Sequence, residues 1–184
     1  MNNLPEGALR FVKKQLAYRL FYPQVPVIVC AKYGRSIAAM PAVSCISLSD
    51  SPTLLGVSVK IGTKTEKVLS RAQSFSLCWL DYSKKTEKVV SDLSAKAPSG
   101  LDKLHALGIQ YNTIGGVPVL KDSIAFIVCR KTSAEEHGDH ILFVGIIMTA
   151  RASGDFADEE YWKFDKYKPI LYLGSNKKKP FRSF

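Results

Sequence analysis

Short apolar runs rich in β-branched residues constrain the fold of this chain more than any other sequence feature. Three of them follow one another from Val25 onward: VPVIVCA (25–31), SCISL (44–48) and LLGVSV (54–59). Residues that favour turns separate them, at Gly34, at 50–52 and at Gly62. Runs of this length between turn signals are typical of neighbouring β-strands. The pattern predicts a meander of strands.

The rest of the chain adds further strands and a few helices. Apolar patterning predicts strands at 74–80, 109–120, 123–131 and 140–151, with the last two joined across SAEEHG. Helical spacing and breakers predict helices at about 4–21, 64–71, 83–94 and 100–107. Seven or eight short strands are best arranged as a closed or nearly closed antiparallel barrel, because closure removes exposed sheet edges. We therefore expect a mainly β fold, an antiparallel barrel with an N-terminal helix and helical insertions.

Length and composition set the class of protein. A chain of 184 residues with 46% hydrophobic content is suited to one domain, 1–184, with a core of ordinary size. The start of the chain lacks the order of charges and apolar residues found in a signal peptide, and no run reaches the roughly 18 apolar residues of a membrane span. We expect a cytoplasmic protein that does not associate with membranes.

The charged and metal-ligating residues exclude several functions. The net charge of +10 favours anionic ligands, yet the basic residues are dispersed apart from Lys177–Lys179, so a duplex nucleic-acid binder is not indicated. The four cysteines form no CxxC pair and lie inside apolar runs, which favours buried reduced thiols over a metal site. We predict no metal centre. These four residues are Cys30, Cys45, Cys78 and Cys129.

Motifs of common enzyme classes are absent from the sequence. There is no GxGxxG, no GxxxxGK[ST], no GxSxG and no HExxH. We assign no catalytic side chain, so any activity must come from a bound cofactor.

The segment 35–65 is richer in small and hydroxyl residues than core packing requires. Small side chains allow a planar ligand to approach the backbone, and hydroxyls with a lysine can hold a phosphate. The alternative is that these hydroxyls face solvent on half-exposed strands. The polar candidates are Ser44, Ser47, Ser58, Lys60, Thr63 and Thr65.

A second candidate segment is GDHILFVGII (138–147). Gly138 and Asp139 open a strand there, which puts His140 at its mouth. A single histidine is more often a structural residue than a ligand-binding one, so both roles stay open.

Together these segments resemble the flavin reductase-like family, whose fold is an FMN-binding split β-barrel and which includes flavoredoxins and ferric reductases. The resemblance covers nearly the whole chain and keeps the family's order. The segments that carry it are YPQVPVIVCAKYGR (22–35), AMPAVSCISLSDSPTLLGVSV (39–59), GTKT (62–65), SGLDKLHALGI (99–109), GDHILFVGII (138–147) and KPILYLGSNKK (168–178).

The resemblance implies a set of flavin-binding residues. The backbone of six consecutive residues would lie against the isoalloxazine ring: Ala39, Met40, Pro41, Ala42, Val43 and Ser44. Five residues would line the ribityl-phosphate end: Ser58, Lys60, Thr63, Thr65 and Lys103. His140 matches the family histidine near flavin and nicotinamide. The chain departs from the family at Ala38, where Asn is frequent, and at Pro41, where Thr is common.

The resemblance also implies the chemistry and the assembly. We expect hydride transfer from NADH or NADPH to FMN, with the cofactors carrying the reaction and the protein supplying geometry. A symmetric homodimer is implied, because the family binds flavin at a subunit interface. Two alternatives stay open: a flavoredoxin-type electron carrier with tightly bound FMN, and a small-barrel module that binds single-stranded nucleic acid without catalysis. We consider the nucleic-acid partner less consistent with the dispersed aromatic residues.

Overall fold

A seven-stranded antiparallel sheet dominates the computed structural model, which describes residues 11–95, 102–157, 162–174 and 180–182. The strands are β1 (Val27–Tyr33), β2 (Ser36–Ala42), β3 (Cys45–Asp50), β4 (Thr53–Lys60), β5 (Ser74–Trp79), β6 (Tyr111–Ile114), β7 (Val117–Leu120), β8 (Ala125–His137), β9 (His140–Ala152), β10 (Leu171–Tyr172) and β11 (Phe181–Arg182). The α-helices are α1 (Lys64–Arg71), α2 (Lys84–Ser94) and α3 (Lys103–Ala106). The main sheet has the order β2-β1-β5-β8-β9-β4-β3, while β6 pairs with β7 and β10 with β11.

The two edges of this sheet are consecutive in the chain. Only Val43 and Ser44 separate β2 from β3, so the chain turns from one edge to the other at this point. Ser44 also connects to β4: the Ser58 backbone N–H donates to its carbonyl at 3.0 Å, and its hydroxyl donates to the Ser58 carbonyl at 2.8 Å. The sheet thus curls into a barrel that is split beside β2. The predicted antiparallel split barrel is confirmed.

Two apolar clusters stabilise the barrel. The first fills its interior and is covered by α1, with Phe75, Phe143 and Leu69 fully buried. The second packs on the other side of β1 and β5, beneath α2, α3 and the β6–β7 hairpin. Among the described glycines, Gly145 of β9 is the most closely packed, and a Cβ atom there would stand 2.8 Å from atoms of Cys129 and Phe75. The interior therefore leaves no room for a larger side chain at this position.

Several helix predictions are confirmed, and one predicted helix is of a different type in the structure. Helix α1 spans the predicted 64–71, and α2 matches 83–94 to within a residue. Of the predicted helix at 100–107, residues 103–106 are helical, and 100–101 lie outside the described residues. The predicted helix at 4–21 is instead a 3₁₀ helix at Lys14–Phe21, and residues 1–10 lie outside the described part. None of its residues is buried, so the apolar spacing there does not correspond to a packed face.

The strand predictions need two corrections. The predicted strand 109–120 is a hairpin of two four-residue strands, because Gly115 and Gly116 adopt positive φ angles and turn the chain. The segment SAEEHG does not connect β8 to β9; its first five residues extend β8, and Glu135 pairs with Leu142. The turn lies at Gly138 and Asp139. Residues 133–137 lie on a largely exposed stretch of β8, and their polar composition is also typical of a loop.

The cysteines are reduced in the structure. Cys30, Cys78 and Cys129 are buried, as predicted, whereas Cys45 is only half-buried on β3. Among the described residues, no helix combines the length and apolar character needed to cross a membrane.

Candidate functional site

A cleft of about 1500 Å³ runs beside β2. Its wall is formed by the β2–β3 corner, the end of β4, the start of α1, the end of α2 and the β8–β9 turn. The twelve residues that the family resemblance assigns to flavin binding all line it: Ala39, Met40, Pro41, Ala42, Val43, Ser44, Ser58, Lys60, Thr63, Thr65, Lys103 and His140. Ser47, the remaining polar candidate of segment 35–65, does not line the cleft and is exposed on β3. Positions that are up to about 100 residues apart in the chain therefore meet in one cavity.

Strand β2 forms one wall of the cleft, and three of the residues that it contributes are alanines. Ala38, Ala39 and Ala42 are buried, while Met40 and Pro41 are partly exposed. As an edge strand of the sheet, β2 pairs with β1. Among the described residues no second strand pairs with its other backbone edge, so the peptide groups there can meet a ligand in the cleft. This wall suits a flat, hydrogen-bonding ligand.

The start of α1 forms a second part of the wall. Thr63 is its N-cap residue: its hydroxyl accepts from the Glu66 backbone N–H at 3.1 Å and donates to the Lys60 carbonyl at 2.9 Å. Thr65, in the first turn, is 5% exposed although it borders the cleft. The amides of a first helical turn and the helix dipole favour an anion.

Lysines surround this helix start, which makes the surface cationic. The cleft is lined here by Lys60, Lys64, Lys67 and Lys103. Burial, together with the positive charge of Lys64, lowers the pKa of Lys103 below its ordinary value. A bound anion would relieve this repulsion between like charges.

The ammonium group of Lys103 is held by the end of α2. Its Nζ donates to the Leu93 carbonyl at 2.7 Å and to the Ala95 carbonyl. These are carbonyls at a helix C-terminus, where cations are stabilised. Lys103 thus fastens α3 to α2 and also contributes charge to the cleft.

His140 belongs to a polar group of three side chains at the end of β4, next to the start of α1. In the β4–β9 pairing it lies directly across from Lys60. Its Nδ1 is 2.6 Å from Asp139 Oδ1, and Lys60 Nζ is 3.5 Å from Asp139 Oδ2. The hydrogen bond from His140, with the charges of His140 and Lys60, lowers the pKa of Asp139.

The partnership with Asp139 fixes the orientation of the imidazole. An ionised carboxylate only accepts hydrogen bonds, so Nδ1 carries a proton and donates it. This contact leaves Nε2 as the ring nitrogen that is not engaged by Asp139, on a side chain that is 40% exposed. The structure therefore places a positioned imidazole at the cleft.

The sequence interpretation did not identify four aromatic residues that line the same cleft, namely Tyr18, Tyr22, Tyr172 and Phe181. They come from the two ends of the described chain, and no local pattern connects them. Lys64 and Lys67 were also missed, although two lysines after a Gly-Thr turn are a recognisable signal of a cationic helix start.

The sequence profile described as "Flavin reductase like domain" matches residues 18–177. A protein from Aeropyrum pernix is 25% identical over 172 residues, covering 92% of this chain, which spans only 65% of that protein's length. An NADH-dependent FMN reductase from Streptomyces nodosus subsp. asukaensis is 30% identical over 141 residues, with 72% of each chain covered.

A solved structure has the same fold. The FMN-binding protein from Thermus thermophilus superposes with a TM-score of 0.78 at 24% identity, covering 96% of this chain and 94% of the other.

Proposed function

The chain belongs to the flavin reductase-like family, as its sequence resemblance indicated, and from this premise we propose that it binds FMN and transfers hydride to it from NADH or NADPH. The observation that carries the proposal is the single cleft that contains every residue expected to contact flavin. The cleft also matches the chemistry of FMN, because small residues line it along β2 and four lysines line it around the start of α1.

To bind FMN, the protein has to provide a contact surface for the isoalloxazine ring and positively charged side chains for the phosphate. The β2 edge and the Val43–Ser44 corner would hold the ring, because backbone donors and acceptors there can meet its polar rim. The α1 start would hold the phosphate through Thr65, Lys60, Lys64 and Lys67. Lys103 would add charge from the side of α2 and α3.

When bound, the flavin supplies the redox chemistry, accepting hydride from the C4 atom of the nicotinamide at its N5. The chain's own task is to position the two rings against each other and to keep water away from them. His140 would take part as a hydrogen-bond donor or acceptor toward the ring or the nicotinamide amide, held in place by Asp139. We assign no general base.

We further propose that the working unit is a homodimer. Two exposed apolar side chains, Ile46 and Leu48, lie on the outer side of β3. A Cβ atom at Gly56 would touch Ile46, Leu48 and Leu142, so these side chains share one surface. The register puts Ser58 opposite Leu142 on that side of the sheet, which connects the apolar surface to the cleft. A second copy of the chain covering it would lie beside the flavin.

Light scattering after gel filtration measures the assembly. We expect a dimer for the wild type, and a monomer with weaker FMN binding for the double variant Ile46→Glu/Leu48→Glu. A monomeric wild-type protein that binds FMN normally would contradict the dimer proposal.

The activity is tested by mixing the FMN-loaded protein with NADH or NADPH without oxygen and following the loss of flavin absorbance. We expect rapid bleaching with at least one of the two donors. A protein that holds FMN but is reduced by neither donor is an electron carrier supplied from elsewhere, and the proposed reaction would be wrong.

A matched pair of lysine variants tests the location of the phosphate. Lys67→Met removes a charge from the cleft, whereas Lys85→Met removes one from the start of α2, where Lys85 pairs with Asp122 outside the cleft. We expect several-fold weaker FMN binding only for Lys67→Met. Equal effects of both variants would attribute the binding to net charge.

A further inference from the structure

Lys131 of β8 lies outside the cleft but is bonded to the helix that borders it. Its Nζ donates to the Leu69 carbonyl at 2.7 Å and to the Ser70 carbonyl at 2.8 Å, both in the last turn of α1. Its backbone N–H donates to the Gln73 carbonyl at 2.8 Å, just beyond the helix. Lys131 is not among the residues that line the cleft. It is therefore joined to α1 at the end of the helix that points away from the cleft.

The sheet fixes Lys131 in its place beside α1. Lys131 pairs with Gly145 of β9, next to a register shift in the β8–β9 pairing. Its Nζ lies 5.8 Å from the centre of the Phe143 ring, which is fully buried. Burial lowers the pKa of Lys131, and the two carbonyls and the ring face replace part of the water that its ammonium has lost. This ammonium is thus held by the fold.

Hydrogen bonds along α1 connect this end of the helix to the other. The carboxylate of Glu66 accepts from the Gly62 backbone N–H at 3.0 Å and from the Ser70 hydroxyl at 2.9 Å. Gly62, with a φ of +84°, forms the turn that leads into the N-cap residue Thr63. The carbonyl of Ser70 in turn accepts from Lys131. The turn at the cleft and the lysine on β8 are therefore connected through Glu66 and Ser70.

Helix α1 is too short to be stable without such contacts. It has eight residues, whereas isolated helices of fewer than about 12–15 residues are marginal in water. The carbonyls of its last turn have no partners within the helix, and a cation beside them satisfies them and interacts favourably with the helix dipole. Lys131 supplies this cation from a strand of the barrel, so it ties the helix to the sheet.

We propose that Lys131 is a positioning residue for the phosphate site: by holding the end of α1 on the barrel, it keeps the first turn of the helix in place at the cleft. This inference rests on the proposed binding of FMN and adds a residue that lies outside the cleft. Helix α1 brings Lys64, Thr65 and Lys67 to the cleft, so a shift of the helix moves all three together. The ring wall is formed by β2 and does not depend on α1.

Three variants separate positioning from charge. Lys131→Met removes the ammonium and keeps an apolar stem beside Phe143, while Lys131→Arg keeps the charge. Lys163→Met is the matched control, because Lys163 Nζ also donates to a backbone carbonyl, that of Gly154 at 2.7 Å, and Lys163 is not among the residues that line the cleft.

The first measurement compares the affinities for FMN and for riboflavin, which lacks the phosphate, by fluorescence titration. We expect FMN affinity to fall about fivefold in Lys131→Met, within the roughly 2- to 30-fold range of substitutions that act on a ligand without contacting it. Riboflavin affinity should stay the same, and Lys131→Arg and Lys163→Met should bind FMN as the wild type does. Unchanged FMN affinity in Lys131→Met, an equal loss for riboflavin, or an equal loss in Lys163→Met would overturn the proposal.

The second measurement, amide hydrogen exchange, tests the positioning without a ligand. The amides of Glu66 and Lys67 donate to Thr63 at the start of α1, and we expect them to exchange several-fold faster in Lys131→Met, relative to the amides of β5, which report global opening. Lys131→Arg should restore the slow exchange. Faster exchange confined to the last turn would overturn the proposal. A wild-type protein that binds no FMN would instead contradict the proposed function.

Discussion

Strands β5 and β2 belong to the same sheet but have different roles. Strand β5 lies between β1 and β8, and its residues Phe75, Ser76, Leu77 and Cys78 are at most 2% exposed. Strand β2 lies at the edge, carries small side chains and lines the cleft. The central strand contributes burial, while the edge strand leaves backbone and space for a ligand. Stability and binding are thus carried by different strands, and each can be changed separately.

The largest expected effect comes from truncating the central strand. Phe75→Ala removes a fully buried ring from the barrel interior and should lower the free energy of unfolding by about 3–5 kcal/mol. Urea denaturation measures this. FMN affinity per folded molecule should stay within a factor of about two. A loss below about 1 kcal/mol would mean that the interior is not the main source of stability.

The next effect concerns the threonines at the start of α1. Thr65→Val should weaken FMN binding by about 1.5–3 kcal/mol if its hydroxyl binds the phosphate. Thr63→Val should in addition cost about 1 kcal/mol of stability, because the hydroxyl of Thr63 caps the helix. Thr53→Val, at the β3–β4 turn, is the control for a lost turn hydroxyl. Unchanged FMN affinity in a Thr63→Val/Thr65→Val double variant would remove both from the site.

A smaller effect is expected at His140. His140→Ala should slow flavin reduction by nicotinamide several-fold while the melting temperature stays nearly the same, since the side chain is 40% exposed and its partner is the exposed Asp139. Stopped-flow reduction and thermal melting separate the two roles. Early melting with an unchanged rate in the folded fraction would make His140 a structural residue.

The smallest effect is expected at the thiols. Burial raises the pKa of Cys45 to about 12 and that of Cys129 to about 11, so both stay protonated at neutral pH. Their alkylation should be slow in the native protein and fast after unfolding. Cys129→Ala should reduce stability modestly with unchanged turnover per folded molecule. Loss of electron transfer at full flavin occupancy would show a redox role.

The sequence predicted the central strands, and the edge strand β3, better than the edge strand β2. The apolar runs of β1 and β5 are locally distinctive because both sides of those strands are covered. Strand β2 was not recognised as a strand from its own pattern, since SIAAMPA has one β-branched residue and a proline. The alanines and the proline of β2 help it to line the cleft, but they also give the segment a low strand propensity, so its sequence does not indicate a strand.

The candidate site likewise has a part that the sequence predicted and a part that it did not. Short segments with local signals, such as GTKT and GDH, were placed from the sequence and meet in the cleft. The four aromatic residues that line the cleft were not placed from the sequence, because pairing between distant segments brings Tyr22 and Tyr172 together. Lys103 was expected to supply charge only, and its hydrogen bonds to the end of α2 depend on how two helices pack. Tertiary contacts of this kind join segments that are distant in the chain, so they leave no periodic pattern in the sequence.

Titration of the purified protein with FMN, followed by the visible spectrum, shows whether the edge of the barrel forms a flavin site. We expect saturable binding, with flavin absorption bands that shift on binding and affinity that falls as salt is added, because a cationic surface holds the phosphate. A colourless protein that leaves the spectrum of added FMN unchanged would contradict the proposed flavin site.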